Sequence, residues 1–246
     1  MSHIYFVRHG ESIGNQLLDN LSPDENILSE RGRLQANKLG IHLRNVTFTH
    51  VFASPYVRAV STAQHILSES KATYSDDIIV VDPDIRERNL GIYEQKTTTE
   101  LAQALLKSGG DYLDWTPEGG ETRLDVERRL ESFLQKIGMI LDSGLESKTI
   151  LVVTHSVVMV HLWHYLLRCD RKYRFKNWKP EFMKVCKNTS YFLLAVEKLQ
   201  DETQPRELEV VVAHGNDHLK TLQQDVFSDL VKGDKSLKSV ANCMQQ

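Results

Sequence analysis

Cysteine is scarce in this chain: Cys169, Cys186 and Cys243 are odd in number, widely spaced and without a CxxC pair. Such spacing supplies neither a disulfide framework nor a zinc pattern, and it suits a reducing compartment. Long apolar runs are missing too. No stretch approaches the roughly 20 residues that span a bilayer, and the N-terminus lacks the basic start and apolar core of a secretion signal. The expected location is cytoplasmic, with no membrane partner. Neither charge dominates: 30 Lys and Arg stand against 33 Asp and Glu, for a formal net charge of -3. This balance offers no global attraction for nucleic acid, so an anionic ligand must be held by local positive charge. Glycine and proline, at 13 and 6 residues, mark no linker, and no internal repeat is visible. Residues 1–230 are expected to form a single domain, with 231–246 a polar, mobile tail. The sequence is silent on oligomeric state.

What is present is an alternation of strand and helix patterns. "HIYFV" (His3 to Val7) reads as a short buried strand, and "SERGRLQANKLGIHLR" repeats Ala36, Leu39 and Leu43 at helical spacing. "THVFAS" is a second strand, after which Ser54 and Pro55 predict an N-cap and a first helical residue. "DIIVVD" (Asp77 to Asp82) is a third strand, and Pro83 to Lys96 reads as a loop. Thr97 and Glu100 form a capping box ahead of "ELAQALLKSGG". From Gly120 a long amphipathic helix places Val126, Leu130, Phe133, Leu134, Ile137, Ile140 and Leu141 on one face and charges on the other, toward water. "KTILVVTH" is a near-continuous β-branched run, as a doubly covered central strand requires, and "SVVMVHLWHYLL" is the next helix. "SYFLLAVEKL" and "RELEVVVAHG" close the pattern as a strand pair. The fold class is α/β.

In parallel α/β sheets ligands collect beyond the carboxyl ends of the strands. The residues expected there are Arg8 and His9 after the first strand, Arg58 after the second, Glu87 after the third and His155 after the central one. Two arginines, two histidines and a carboxylate suit a phosphoryl group. Guanidinium forks match phosphate oxygens, and an imidazole either attacks phosphorus or donates to its oxygens according to protonation.

The motifs "RHGES" followed by Asn15, "SPYVRAVSTA", "RERNLG", "GGET" and "VVTHS" resemble the histidine phosphatase superfamily, also called phosphoglycerate mutase-like, in the family's order from Ile4 to about Leu219. "NVTFTHVFASPYVRAVSTAQHIL" and "PEGGET" are most similar to its TIGAR-type fructose-2,6-bisphosphatases and small broad-specificity phosphatases. The resemblance implies a three-layer α/β/α sandwich around a mostly parallel mixed sheet, and chemistry without metal or cofactor. It makes His9 the nucleophile that carries a phosphohistidine, and Arg8, Arg58 and His155 the groups around the phosphoryl oxygens. Glu87 becomes the general acid and base, with a carboxyl pKa raised toward neutrality. Asn15 matches a position whose amide contacts phosphate, Ser156 offers a backbone N–H, and N–H groups near Gly10 are expected to help. Glu11 is an orienting group, while Arg86 and Arg88 are expected to point away from Glu87. The implied substrate is a small phosphorylated metabolite.

Three departures from the family pattern bear on substrate contacts. "NQLLDNLSPDENIL" lacks the usual glycine-containing loop, Ser156 stands where many members have glycine, and Gln95 replaces a common glycine. The rival readings are a phosphoglycerate mutase with the same phosphohistidine, and a phosphate-binding protein without turnover. His161, His164, His214 and His218 are read as packing or surface residues rather than metal ligands. The stretch from Arg168 to Lys187 carries eight basic residues against Asp170 and Glu181. It is read first as a solvated face, and second as a basic lip that attracts an anionic substrate.

Overall fold

The computed structural model describes residues 1–220 other than 76, 200 and 202. The expected tail at 231–246 lies outside the described residues. In chain order the elements are β1 (Ser2–Arg8), α1 (Ile13–Leu17), α2 (Glu30–Leu43), β2 (His50–Ala53), α3 (Val57–Ser68), β3 (Ile79–Val81), α4 (Thr98–Ser108) and α5 (Arg123–Asp142). They are followed by β4 (Thr149–Thr154), α6 (Ser156–Arg168), β5 (Tyr173–Phe175), β6 (Tyr191–Val196) and β7 (Arg206–Gly215).

The strands form one seven-stranded sheet in the order β3-β2-β4-β1-β6-β7-β5. β1 to β4 run parallel, and β6 alone opposes its neighbours β1 and β7. The period-2 alternation of the strands makes three layers. Ile4, Phe6, Phe52, Ile150, Val152, Phe192 and Leu194 pack with α5 and α6 on one face. Tyr5, Val7, Val51, Ala53, Leu151 and Val153 pack with α2 and α3 on the other. The middle of each central strand, Ile4 to Val7 and Ile150 to Val153, is therefore apolar on both faces.

Local chemistry sets the helix starts. Ser29 caps α2 by accepting from the Gly32 N–H, and Thr97 and Thr122 build capping boxes with Glu100 and Asp125 at the starts of α4 and α5. Ser54 does not cap α3: that helix begins two residues after Pro55, with Tyr56 at the cap position. The Ser54 hydroxyl is instead bonded to His155. The third strand is shorter than Asp77 to Asp82, because Asp82 turns back to cap a 3-10 turn at Pro83–Ile85. A second such turn, Gly91–Tyr93, lies within what reads as loop. Along α5 the six residues Val126, Leu130, Phe133, Leu134, Ile137 and Leu141 are buried as expected, but Glu127 and Arg129 are buried too. They are ion-paired inside the protein, so the charged face does not all meet water.

The edge strand β5 comes from the basic stretch, whose aromatic residues conceal a strand pattern. β5 pairs with β7 at Phe175↔Leu208, Leu208 pairs with Val196, and Val196 with Ser2. β5 thus sits level with the start of β1, roughly 20 Å from its end at about 3.3 Å per residue. Three of the flanking charges are matched locally: Arg168 pairs with Glu127, Lys172 with Glu131, and Lys176 with Glu197 and Glu207. Trp178 and Phe182 pack on the core. This half of the stretch is a solvated face, not a lip over the carboxyl ends of the strands.

Candidate active site

The register of the two central strands decides where the site lies. Arg8 pairs with Thr154 in a parallel ladder, so residues 9 and 155 leave adjacent strands side by side. Their rings meet edge to face with centroids 5.0 Å apart. The chain leaving β1 passes against the first turn of α2, an approach that two glycines permit. A Cβ on Gly10 would lie 2.6 Å from the Gly32 oxygen, and one on Gly32 would lie 1.9 Å from the Glu11 oxygen. Glu11 fastens this crossing. Its carboxylate accepts from the Ser29 hydroxyl at 2.7 Å and its N–H donates to Gln35 at 2.8 Å.

Hydrogen bonds fix both imidazoles as complementary tautomers. His9 Nδ1 donates to the Gly10 carbonyl at 2.7 Å, and its Nε2 accepts from Arg58 Nε at 3.3 Å. The second histidine is arranged the other way round. His155 Nδ1 accepts from an Arg58 terminal nitrogen at 3.3 Å, and its Nε2 donates to Ser54 Oγ at 2.8 Å. Arg58, the second residue of α3, thus spans both rings, with its guanidinium 4.8 Å over Tyr56. Burial and the adjacent Arg58 and Arg8 cations hold both histidines neutral, with pKa values well below the ordinary imidazole range. An unprotonated ring nitrogen has a lone pair with which it can attack, and the two guanidinium groups beside it can attract an anion. Arg8 itself is tied down by a 2.5 Å bond to the Cys186 carbonyl.

Glu87 follows the Pro83–Ile85 turn, and its Oε2 lies 3.8 Å from His155 Nδ1. Burial raises its pKa, opposed by the Arg88 N–H and by the Arg58, Arg129 and Arg8 charges. Arg86 and Arg88 do turn away from it, though Arg88 goes inward rather than to water. It is fully buried and donates to the carbonyls of Tyr112, Trp115 and Glu121. Arg86 pairs with Glu121 at 2.6 Å. Arg129 grips both Glu121 oxygens and the carbonyls of Asp84 and Arg86, so it clamps the loop that carries Glu87. Sequence reading missed Arg129, which looked like solvent-facing charge on α5. The signal for Glu121 was there in "GGET", without a role.

Asn15 sits on α1 with its side-chain oxygen occupied. That oxygen accepts from the Ser12 N–H and from Asn188 Nδ2, each at 3.2 Å. Ser156 is buried as the first residue of α6, where a helix leaves its N–H without an intrahelical acceptor. The Gly10 N–H, expected to help, is already bonded to Thr62 Oγ1 at 3.0 Å. His161 is wholly buried with neither ring nitrogen hydrogen-bonded, its pKa pushed to about 3 by burial and then by Arg88, Arg123 and Arg129. No cluster of three or more potential metal ligands occurs among the described residues.

A family model described as the histidine phosphatase superfamily (branch 1) matches residues 4–198. The chain belongs to this superfamily. Fructose-2,6-bisphosphatase TIGAR of Xenopus laevis is 39% identical over 148 residues, which are 58% of this chain and 53% of that protein. The chain thus spans about half the length of the curated TIGAR relatives it matches. A probable phosphoglycerate mutase GpmB of Erwinia tasmaniensis is 28% identical over 184 residues, covering 72% of this chain and 82% of the relative. Among solved structures, Bacillus stearothermophilus YhfR superposes with a TM-score of 0.68 at 25% identity, covering 89% of this chain and 100% of that one. A mycobacterial glucosyl-3-phosphoglycerate phosphatase gives the same TM-score at 21% identity, over 87% and 99% of the chains, a likeness of fold. This histidine phosphatase chain therefore has the phosphoglycerate mutase-like fold. No described helix is long and apolar enough to cross a membrane.

Proposed function

We propose that this chain is a phosphatase that hydrolyses small phosphorylated metabolites through a phosphohistidine on His9. The observation that carries this reading is the fixed tautomer of His9, whose Nδ1–H is held by the Gly10 carbonyl while Nε2 faces Arg58. A phosphoryl group takes the place of that Arg58 contact. His9 Nε2 then attacks phosphorus as the bond to the leaving oxygen breaks. Glu87, whose pKa burial raises, gives its proton to that oxygen. In the second half a water attacks the phosphohistidine, Glu87 takes the water's proton, and phosphate leaves with His9 restored.

Arg8, Arg58 and His155 surround the transferring oxygens, with the Asn15 amide and the Ser156 N–H as further donors. His155 Nδ1 accepts from Arg58. A bound dianion favours its protonated form and converts that nitrogen into a donor. Sugar phosphates are the substrate class, with fructose 2,6-bisphosphate among them on the similarity to TIGAR. A phosphoglycerate mutase is the second reading, favoured by the GpmB similarity over most of the chain.

A phosphate-release screen over phosphorylated metabolites, with His9→Ala as control, tests the proposal. Acid-labile phosphate on the wild type, none on His9→Ala, and free phosphate in solution are expected. Transfer between positions of a sugar acid with little release would move the assignment to the mutase. Saturable ligand binding without any phosphoenzyme would leave only a binding protein.

A further inference from the structure

Between the basic stretch and β6 the chain makes a tight passage, Cys186 to Ser190, that touches three of the candidate site residues at once. The Cys186 carbonyl holds the Arg8 guanidinium. Asn188 is buried, and its Nδ2 donates to the His9 carbonyl at 3.1 Å and to Asn15 Oδ1 at 3.2 Å. The Thr189 N–H reaches the carbonyls of Arg8 at 3.1 Å and His9 at 3.3 Å. Thr189 makes those contacts at φ 56, a left-handed conformation that a β-branched residue rarely adopts. A buried bond of 2.9 Å between Thr189 Oγ1 and His218 Nε2 helps to hold it there. Strain of this kind persists only where surrounding contacts fix it.

We infer that Asn188 is a positioning residue, whose side-chain N–H group orients the Asn15 amide so that its donor side is the one presented to a phosphoryl group. An amide presents oxygen or nitrogen depending on which end its neighbours satisfy. Here Asn15 Oδ1 receives two donors, the Ser12 N–H and Asn188 Nδ2, so Nδ2 is the end left for a ligand. Without Asn188 the amide loses one of the two contacts that define its orientation. With a carboxylate in its place, oxygen faces oxygen and the Asn15 amide reverses, turning its own oxygen toward the bound anion. The same Asn188 nitrogen ties this orientation to the main chain of His9, which keeps nucleophile and donor in one frame.

The inference rests on the reading of Asn15 as a phosphate ligand, and the test separates the two. Asn188→Asp, Asn188→Ala, Asn15→Ala and the two double variants are compared with the wild type. The readouts are para-nitrophenyl phosphate turnover and competitive inhibition by inorganic phosphate, each per mole of folded protein. Asn188→Asp is expected to weaken phosphate inhibition and raise KM by about tenfold, the scale of one hydrogen bond to a charged group, with a smaller change in kcat. In the Asn15→Ala background Asn188→Ala should cost clearly less than it does in the wild type, because only the tie to the His9 carbonyl is then lost. Effects that simply add in the double variants overturn the inference while leaving the Asn15 reading intact. An Asn15→Ala protein that binds phosphate as the wild type does overturns both. If Asn188→Asp fails to fold, the milder Asn188→Ala cycle carries the same comparison.

Discussion

The two histidines of the site are neutral for the same reasons, burial and adjacent guanidinium groups, yet their hydrogen bonds assign them opposite tautomers. In the proposed mechanism a neutral His9 keeps its lone pair available to attack, so protonation of that nitrogen should limit the rate only at acid pH, below the ordinary imidazole range. The raised Glu87 pKa acts at the other limb. In the proposed mechanism Glu87 assists the leaving group in its protonated form, so kcat/KM is expected to fall as pH rises through that raised value. Glu87→Gln should lower turnover by about 100-fold or more and abolish that limb, which a pH series with a single aryl phosphate would reveal. Ser54 belongs to this scale as well. Its hydroxyl accepts from the buried His155 Nε2–H, a tautomer set by the Arg58 donor to Nδ1, so Ser54→Ala should reduce kcat by about tenfold and, by leaving that N–H unpaired, lower stability by about 1–3 kcal/mol. Unchanged kinetics would remove Ser54 from the reaction.

The loop between β3 and α4 carries the catalytic carboxylate candidate, and its shape depends on two kinds of support. From behind, Arg88 and Arg129 bind it through carbonyls and Glu121. Within it, the chain turns at Gly91 with φ 58 and again at Gln95 with φ 61. Gly91 has no alternative, since a Cβ there would lie 2.0 Å from the Glu118 oxygen. Gln95 occupies a left-handed conformation with a side chain, where the resemblance to the family anticipated glycine. Gln95→Gly should therefore stabilise the protein by about 1 kcal/mol, read as a higher midpoint in urea unfolding. An unchanged or lower midpoint would mean that exposed Gln95 makes compensating contacts. The capping box of α4 was legible in the sequence because it is local, spanning the four residues from Thr97 to Glu100. The start of α3 was not, because the Ser54 hydroxyl is drawn to a histidine 101 residues away.

At the scale of the whole molecule, several imidazoles are buried without charge. His9, His155, His161 and His218 all have lowered pKa values, with His161 at about 3 and His218 at about 4, in each case chiefly from burial. Unfolding releases them to an ordinary value of about 6.5, so below that pH the unfolded chain binds more protons than the folded one. Stability is therefore present above pH 6.5 and is lost as pH falls toward the folded values, at about 1.4 kcal/mol per unit for each such group. Glu87 opposes this in part, since its raised pKa makes the folded state bind a proton first. Guanidinium unfolding should show a lower midpoint at pH 5.5 than at pH 7.5. His161→Phe, which removes a buried ring without hydrogen-bonding partners, should narrow that gap by about 1.4 kcal/mol. A gap of unchanged size would show that this ring titrates normally in the folded protein.

Sequence alone determined the alternation of strands and helices, the apolar central strands and the residue types gathered after strand ends, because those follow from periodicity and short motifs. It also carried the resemblance to the superfamily, which motif order makes specific. The register that sets His9 beside His155, and the contacts of Arg129, Glu121, Ser54 and Asn188, were decided only in the folded chain. These groups come from distant segments; Asn188 meets His9 across 179 residues. Nothing local distinguishes a buried arginine clamp on α5 from an exposed charge until another loop closes over it. The basic stretch also gained its meaning from the sheet, because a residue's height along β5 depends on strand pairing and not on its neighbours in sequence.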